Sequence, residues 1–171
     1  PPPDSGSVVL RCGALIDGVS ARALGPAVVV IEHGRITSVA PDARVPDGVR
    51  AIDLAGYTCL PGLIDMHTHL TMRPEESLDL SENYRRTDQQ QAAISREHAR
   101  RTLLAGFTTV RDVGSYTAWA DKAIRDEINR GETPGPRMQV AGIYLTIPGG
   151  GGDLVIPGHP ESEIPARLRA G

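Results

Sequence analysis

The chain of 171 residues is poor in lysine, cysteine, aromatic residues and long apolar runs. No stretch approaches the roughly 18 consecutive apolar residues that a membrane-spanning helix needs, so the sequence predicts no membrane partner. The formal net charge is only -3 and the charged residues are scattered, which disfavours a nucleic-acid partner. A composition of 40% hydrophobic and 23% charged residues is typical of a globular protein with a real core.

Only two cysteines are present, Cys12 and Cys59. They lie far apart along the chain and in no spacing typical of a metal site. The sequence therefore favours two buried free thiols over a disulfide.

Residues 1–6 form a polar, proline-rich leader without an initiating methionine. Such an end is compatible both with an engineered start and with the removal of a signal peptide. Localisation is therefore left open between the cytoplasm and, after removal of a signal peptide, the periplasm or the exterior.

Residues 7–58 have the pattern of a β-rich unit. Short β-branched segments are bounded by glycine and proline, and the loop Glu32-His33-Gly34-Arg35 predicts a tight hairpin with glycine available for positive φ. Strands are predicted at 8–13, 27–31, 36–40 and 51–54. Because these strands are too few and too short to bury a core alone, we interpret them as part of a small β-sandwich domain.

Residues 59–171 change to an alternation of strands and helices. Strands are predicted at 59–66, 107–110 and 138–141, with helices at 89–105 and 117–130. This order indicates an α/β fold with right-handed crossovers and a parallel sheet. A complete (β/α)8 TIM-type barrel takes roughly 250 residues. The region is therefore predicted to hold only the first three βα units of such a barrel.

Two histidines stand at the C-terminal end of the first of these strands. His67 and His69 are two residues apart, and side chains at i and i+2 of a strand point to the same face. Two imidazoles held in this way can bind one metal ion through their ring nitrogens. TIM-barrel enzymes also place their active sites at the C-terminal ends of the strands. The sequence therefore predicts that His67 and His69 are metal ligands.

Three regions of the chain resemble a known family, the amidohydrolase superfamily of metal-dependent hydrolases. Residues 60–69 resemble its first-barrel-strand motif, Pro-Gly-x-Ile-Asp-x-His-x-His. Residues 104–112 resemble its second-strand pattern, and residues 13–18 and 53–56 resemble its β-sandwich lead-in. The resemblance runs from residue 7 to about residue 152 and is greatest to the imidazolonepropionase-like and Xaa-Pro dipeptidase-like branches.

The resemblance implies a metal centre that this chain only begins. In the family the two first-strand histidines bind the more buried metal, and a carboxylated lysine from strand four bridges two metals. Further histidines and a catalytic aspartate come from later strands. The only lysine here is Lys122, which is expected on the surface of a helix. No catalytic residue is therefore assigned in this chain, and the implied cofactor is zinc, as one or two divalent ions, with iron or manganese as alternatives.

The implied reaction is hydrolysis of an amide or peptide-like C–N bond in a small-molecule substrate. A water whose pKa the metal lowers would attack a polarised carbonyl. The chain alone is expected to be inactive, to need the remaining C-terminal part of the barrel as its partner, and to belong to a homo-oligomer. Two alternatives stay open: a non-catalytic barrel that serves as a structural or interaction protein, and a fragment active only with a complementing C-terminal chain.

Three further residues are candidates for the surroundings of the metal or the pocket. Asp65 shares a strand face with His67, and either orients an imidazole or makes a structural hydrogen bond. Asp112, at the end of the second strand, either lines the pocket, caps a loop or forms an ion pair with a nearby arginine. Tyr144 either faces the substrate or packs internally.

The other histidines and a glycine-rich loop are given lesser roles. Residues 149–153 are interpreted as a mobile active-site loop in preference to plain disorder. A phosphate-binding loop is disfavoured, because no Gly-Lys-Ser/Thr signature follows them. His159, His33 and His98 are interpreted as exposed residues of a loop, a hairpin and a helix.

Overall fold

The computed structural model describes residues 6–41, 43, 45, 48–117, 119–147, 150, 156, 158 and 160. The first five leader residues, most of the 149–153 loop, His159 and the segment from residue 161 onward lie outside the described residues. The chain divides into two compact units, residues 1–61 and 62–171. In the described part of the chain, no helix combines the length and the apolar character that crossing a membrane would require.

The first unit is a four-stranded sheet. Its strands are β1 (Val8–Leu15), β2 (Ala27–Glu32), β3 (Arg35–Ala40) and β4 (Arg50–Cys59), in the order β3-β2-β1-β4. Strand β1 pairs antiparallel with β2 and parallel with β4. The predicted hairpin between β2 and β3 is present: His33 and Gly34 have φ of 52° and 70°, as a two-residue turn between twisted strands requires.

The two cysteines form a disulfide, so the prediction of free thiols was wrong. The parallel pairing of β1 with β4 brings Cys12 and Cys59, 47 positions apart in sequence, to a Cα–Cα distance of 5.8 Å. That separation is within the range that a disulfide spans. Cys12 belongs to the buried apolar cluster of the unit with Leu15 and Val29, and the partly buried Cys59 packs against that cluster.

The second unit has the predicted β-α-β-α-β order. Its strands β5 (Leu63–Thr68), β6 (Phe107–Asp112) and β7 (Arg137–Val140) form a parallel sheet in sequence order. Between β5 and β6 lie a short 3₁₀ turn (Pro74–Glu76), helix α1 (Glu82–Arg85) and helix α2 (Asp88–Leu104), and helix α3 (Ala120–Asn129) connects β6 to β7. Among the described residues no further strand pairs with β5 or β7 in this sheet, and the β-α-β-α-β order agrees with the predicted first part of a (β/α) barrel.

Helix α2 begins at a reciprocal cap. The Thr87 hydroxyl accepts a hydrogen bond from the Gln90 backbone N–H at 3.2 Å, and the Gln90 side-chain oxygen accepts one from the Thr87 N–H at 2.9 Å. This capping box satisfies two backbone donors that the first turn leaves unpaired. At the other end of α2, Gly106 has a positive φ of 96°, which stops the helix before the chain enters β6.

The core of the second unit lies between its sheet and helices α2 and α3. Five buried side chains form it: Leu70, Ala99, Val110, Ile124 and Met138. Strand β5 keeps apolar side chains in solvent, with Ile64 63% and Met66 50% exposed. A strand of a complete barrel would have both faces covered, so β5 is only partly packed in this chain.

Two side chains of the helices test the sequence analysis. Lys122 lies on α3 and pairs with Asp126 at 2.7 Å on the surface, as expected. His98 on α2 was predicted to be exposed, and this was wrong. It is half-buried, and its Nδ1 lies 3.1 Å from the Leu70 carbonyl oxygen, because α2 packs against the segment that follows β5.

The disulfide yields a stability prediction. Replacing Cys12 and Cys59 together by serine should lower the free energy of unfolding of the first unit by about 4 kcal/mol, because the bridge closes a loop of 47 residues in the unfolded chain. Thermal unfolding with and without a reducing agent measures this. Reductant should lower the melting temperature of the parent protein and leave that of the double variant unchanged. Alkylation of both thiols in the native, unreduced protein would contradict the assignment.

A candidate metal site at the end of strand β5

The two histidines predicted as ligands converge at the C-terminal end of β5. His67 is the penultimate residue of the strand and His69 follows its last residue. Their ring centroids are 5.4 Å apart and the ring planes meet at 76°. Two imidazoles bound to one zinc at a tetrahedral angle, with each nitrogen about 2.0–2.1 Å from the ion, have ring centres roughly 5 Å apart. The observed spacing therefore fits a shared divalent ion.

The ring of His69 is held by two oxygen atoms. Its Nδ1 lies 3.0 Å from the carbonyl oxygen of Gly114 and 3.1 Å from the hydroxyl of Tyr144. A carbonyl oxygen can only accept a hydrogen bond, so we assign the ring proton to Nδ1. In this tautomer Nε2 carries the lone pair that a metal ion needs.

Asp112, the last residue of β6, links the loops that follow the first two barrel strands. Its side chain is fully buried, and its two oxygens accept hydrogen bonds from the backbone N–H of Leu70 at 2.6 Å and of Gly114 at 3.2 Å. Burial raises the pKa of this carboxyl to about 6, and the two backbone hydrogen bonds oppose that rise. Of the predicted alternatives, the loop-capping role agrees with these contacts.

Asp65 contacts the backbone of β5. Its Oδ1 accepts a hydrogen bond from the N–H of His67 at 3.0 Å. Asp65 was predicted either to orient an imidazole or to make a structural hydrogen bond, and this contact agrees with the second alternative. It holds the chain at His67 and does not involve the imidazole.

Tyr144 lies beside His69 and does not simply pack. Its hydroxyl is 3.3 Å from the carbonyl oxygen of Gly114, in addition to its contact with His69. Its ring packs at 4.8 Å, between centroids, against that of Tyr116. Burial raises the pKa of Tyr144 well above its usual value, and the nearby acidic groups raise it further, so the phenol keeps its proton.

Two residues that the sequence analysis missed complete the framework. Gly114 supplies the carbonyl that holds His69, and the only signal for it is its place two residues after a strand-end aspartate. Asp121, in the first turn of α3, is fully buried and accepts a hydrogen bond from the N–H of Gly142 at 2.7 Å. Nothing in the sequence pattern indicates this hydrogen bond, because it joins a helix to the loop after β7.

Among the residues that the structure describes, no group of three or more histidine, cysteine, aspartate or glutamate side chains is placed to hold a metal ion. A catalytic zinc has three protein ligands as a rule. The role of His67 and His69 as ligands therefore stays a prediction, and the described residues place no third side chain of these types beside them.

A comparison with known protein families matches residues 58–169 to the amidohydrolase family. The chain belongs to the amidohydrolase family. This confirms the resemblance inferred from the first-strand and second-strand motifs, and it places His67 and His69 within the matched region.

Individual amidohydrolases resemble shorter or longer parts of the chain. A dihydroorotase from Mycobacterium tuberculosis is 42% identical over 57 residues, which are 33% of this chain and 13% of that protein. An imidazolonepropionase from Cupriavidus necator is 39% identical over 71 residues, or 40% of this chain and 17% of that protein. The crystal structure of a Xaa-Pro dipeptidase with bound methionine matches with a TM-score of 0.74 and 28% identity, covering 97% of this chain and 45% of that one. The chain thus spans less than half the length of these relatives.

The geometry of Asp112 yields a second prediction. Replacing Asp112 by alanine leaves the buried N–H groups of Leu70 and Gly114 without an acceptor, at about 1–3 kcal/mol each, so the free energy of unfolding should fall by about 2–6 kcal/mol. Urea denaturation measures the change. The matched control is Glu97→Ala on α2, whose side chain is 51% exposed and which should cost under about 1 kcal/mol. Equal losses in the two variants would show that the carboxylate does not hold the loops.

Proposed function

We propose that this chain supplies two metal-ligating histidines to a hydrolase that cleaves an amide or peptide-like C–N bond of a small molecule. One observation carries the proposal: His67 and His69 converge at the C-terminal end of a parallel strand with ring centroids 5.4 Å apart. Membership of the amidohydrolase family and the likeness to a Xaa-Pro dipeptidase support the bond type. The complete protein is taken below as this chain together with the rest of the proposed barrel.

The donor set of the site suits a divalent transition metal. Imidazole binds zinc, iron and manganese, and the assigned tautomer of His69 leaves Nε2 free to bind. When bound, such an ion lowers the pKa of water towards neutrality and polarises a carbonyl oxygen. The remaining ligands and the acid–base residue of the proposed reaction would come from other strands of the complete protein.

The residues of this chain prepare the two ligands by holding them in place. Asp65 hydrogen-bonds the backbone N–H of His67, and Asp112 hydrogen-bonds the backbone N–H of Leu70, next to His69. Both contacts act on the main chain, so the backbone that carries the two histidines is positioned before an ion arrives. Such preorganisation reduces the entropy that ordering the site would cost on binding.

The substrate would reach the ligands from the C-terminal side of the sheet. Strands β5, β6 and β7 are parallel, so their C-terminal ends lie along one edge, where the loops carrying His69, Gly114 and Tyr144 meet. This is the side on which barrel enzymes bind their substrates.

A homo-oligomeric state remains a prediction.

The proposal predicts the effect of removing one ligand. A His67→Ala variant of the complete protein should lose at least one equivalent of bound metal, and its rate on amide or dipeptide substrates should fall at least about 100-fold, because even outer contacts of metal ligands are worth 10–100-fold. Metal content by plasma mass spectrometry and single-turnover rates measure the two effects.

The matched control for this variant is His33→Ala, which removes an exposed histidine in the hairpin of the first unit. It should keep metal content and rate within about twofold. If His67→Ala kept the metal content and rate of the control, the assignment of His67 as a metal ligand would be wrong.

A further inference from the structure

We infer that Tyr144 is a positioning residue for the metal site, which together with the Gly114 carbonyl holds the His69 ring so that Nε2 is presented to the ion. The inference rests on the proposed function, because it assumes that His69 is a ligand. It goes further in assigning a task to a side chain that arrives from the loop after the third strand, on an element separate from both histidines.

Nδ1 of His69, the carbonyl oxygen of Gly114 and the hydroxyl of Tyr144 all lie within hydrogen-bonding distance of one another. The distances are 3.0 Å from Nδ1 to the Gly114 oxygen, 3.1 Å from Nδ1 to the Tyr144 hydroxyl and 3.3 Å from that hydroxyl to the Gly114 oxygen. Two protons satisfy all three contacts: Nδ1–H is shared between the two oxygens, and the tyrosine O–H is donated to the carbonyl. With the proton on Nε2 instead, Nδ1 and the carbonyl would be two acceptors in contact.

The hydroxyl therefore contributes in two ways. It accepts part of the Nδ1–H hydrogen bond, and it donates to the carbonyl that is the other acceptor. Metal-bound histidines commonly donate their second ring nitrogen to an oxygen, which fixes the tautomer and the ring orientation. In this chain that oxygen belongs to Gly114, and Tyr144 completes its surroundings.

The Tyr144 ring lies in space that is open because residue 114 is a glycine. Gly114 has φ of 133°, and a Cβ built on it would lie 2.5 Å from Cε1 of Tyr144. Any side chain at this position would therefore displace the ring that carries the hydroxyl. The Tyr144 ring also packs against the ring of Tyr116, at 4.8 Å between centroids.

The backbone leading to Tyr144 is anchored independently of the histidines. Ile143 pairs with Ser115 in a parallel β-bridge, and the Ser115 N–H donates to the Gly142 carbonyl at 2.9 Å. The buried carboxylate of Asp121 accepts from the Gly142 N–H at 2.7 Å. The loop after β7 is thus tied to the loop after β6 and to α3, and the tyrosine is placed before any ion binds.

The test is a Tyr144→Phe variant of the complete protein, which removes one hydroxyl and leaves the ring in place. We expect the dissociation constant for Zn²⁺, measured by chelator competition, to rise about 10-fold. The visible absorption spectrum of the Co²⁺-loaded protein should also change in band position, because the His69 ring gains rotational freedom. Neither effect follows from a loss of stability alone. The control is Tyr57→Phe, at a tyrosine that is 71% exposed in the first unit, and it should alter neither measurement.

The outcomes separate this inference from the proposed function. If Tyr144→Phe binds Zn²⁺ with the affinity of the control and shows the same Co²⁺ spectrum, while His67→Ala loses metal, the positioning role is wrong and the metal site stands. If His67→Ala also retains full affinity, the metal site itself is wrong. A weaker affinity and an altered Co²⁺ spectrum in Tyr144→Phe alone among the tyrosine variants support the inference.

Discussion

The rest of the site depends on the two hydrogen bonds that the buried carboxylate of Asp112 accepts. The carboxylate accepts hydrogen bonds from the backbone N–H of Leu70, next to His69, and from the N–H of Gly114, whose own carbonyl holds the His69 ring. A carboxylate in an apolar setting is costly unless its oxygens are hydrogen-bonded. Here both oxygens accept from the main chain of two different loops. The same group therefore satisfies its own burial and fixes the distance between the loops that follow β5 and β6.

The two histidines are held in different ways by this arrangement. His67 lies on the strand, and the nearby side chain of Asp65 acts on its backbone only. His69 lies just beyond the strand, and its ring is held through Nδ1 by the carbonyl of Gly114 and the hydroxyl of Tyr144. A residue within a strand takes its direction from the pleat. A residue after the strand has no such constraint and needs partners from neighbouring loops to keep a fixed orientation.

Prediction from the sequence succeeded where structure is local. The alternation of strand and helix patterns after residue 59 predicted the β-α-β-α-β order, and the glycine after His33 predicted the hairpin. It failed where distant segments meet. Cys12 and Cys59 are 47 positions apart and became neighbours only through the parallel pairing of β1 with β4. His98 was assigned to the surface, although α2 turns it towards the Leu70 carbonyl.

For the candidate site, the sequence by itself determined that His67 and His69 stand two positions apart at the end of a strand, and the two-residue period of a β-strand predicted that they lie on one side. The family motif is equally local, since it lies within ten consecutive residues. The tertiary structure decided which ring nitrogen of His69 is free. Its partners, Gly114 and Tyr144, are 45 and 75 positions away. Hydrogen bonds over such separations depend on strand order and loop packing, which no local pattern specifies.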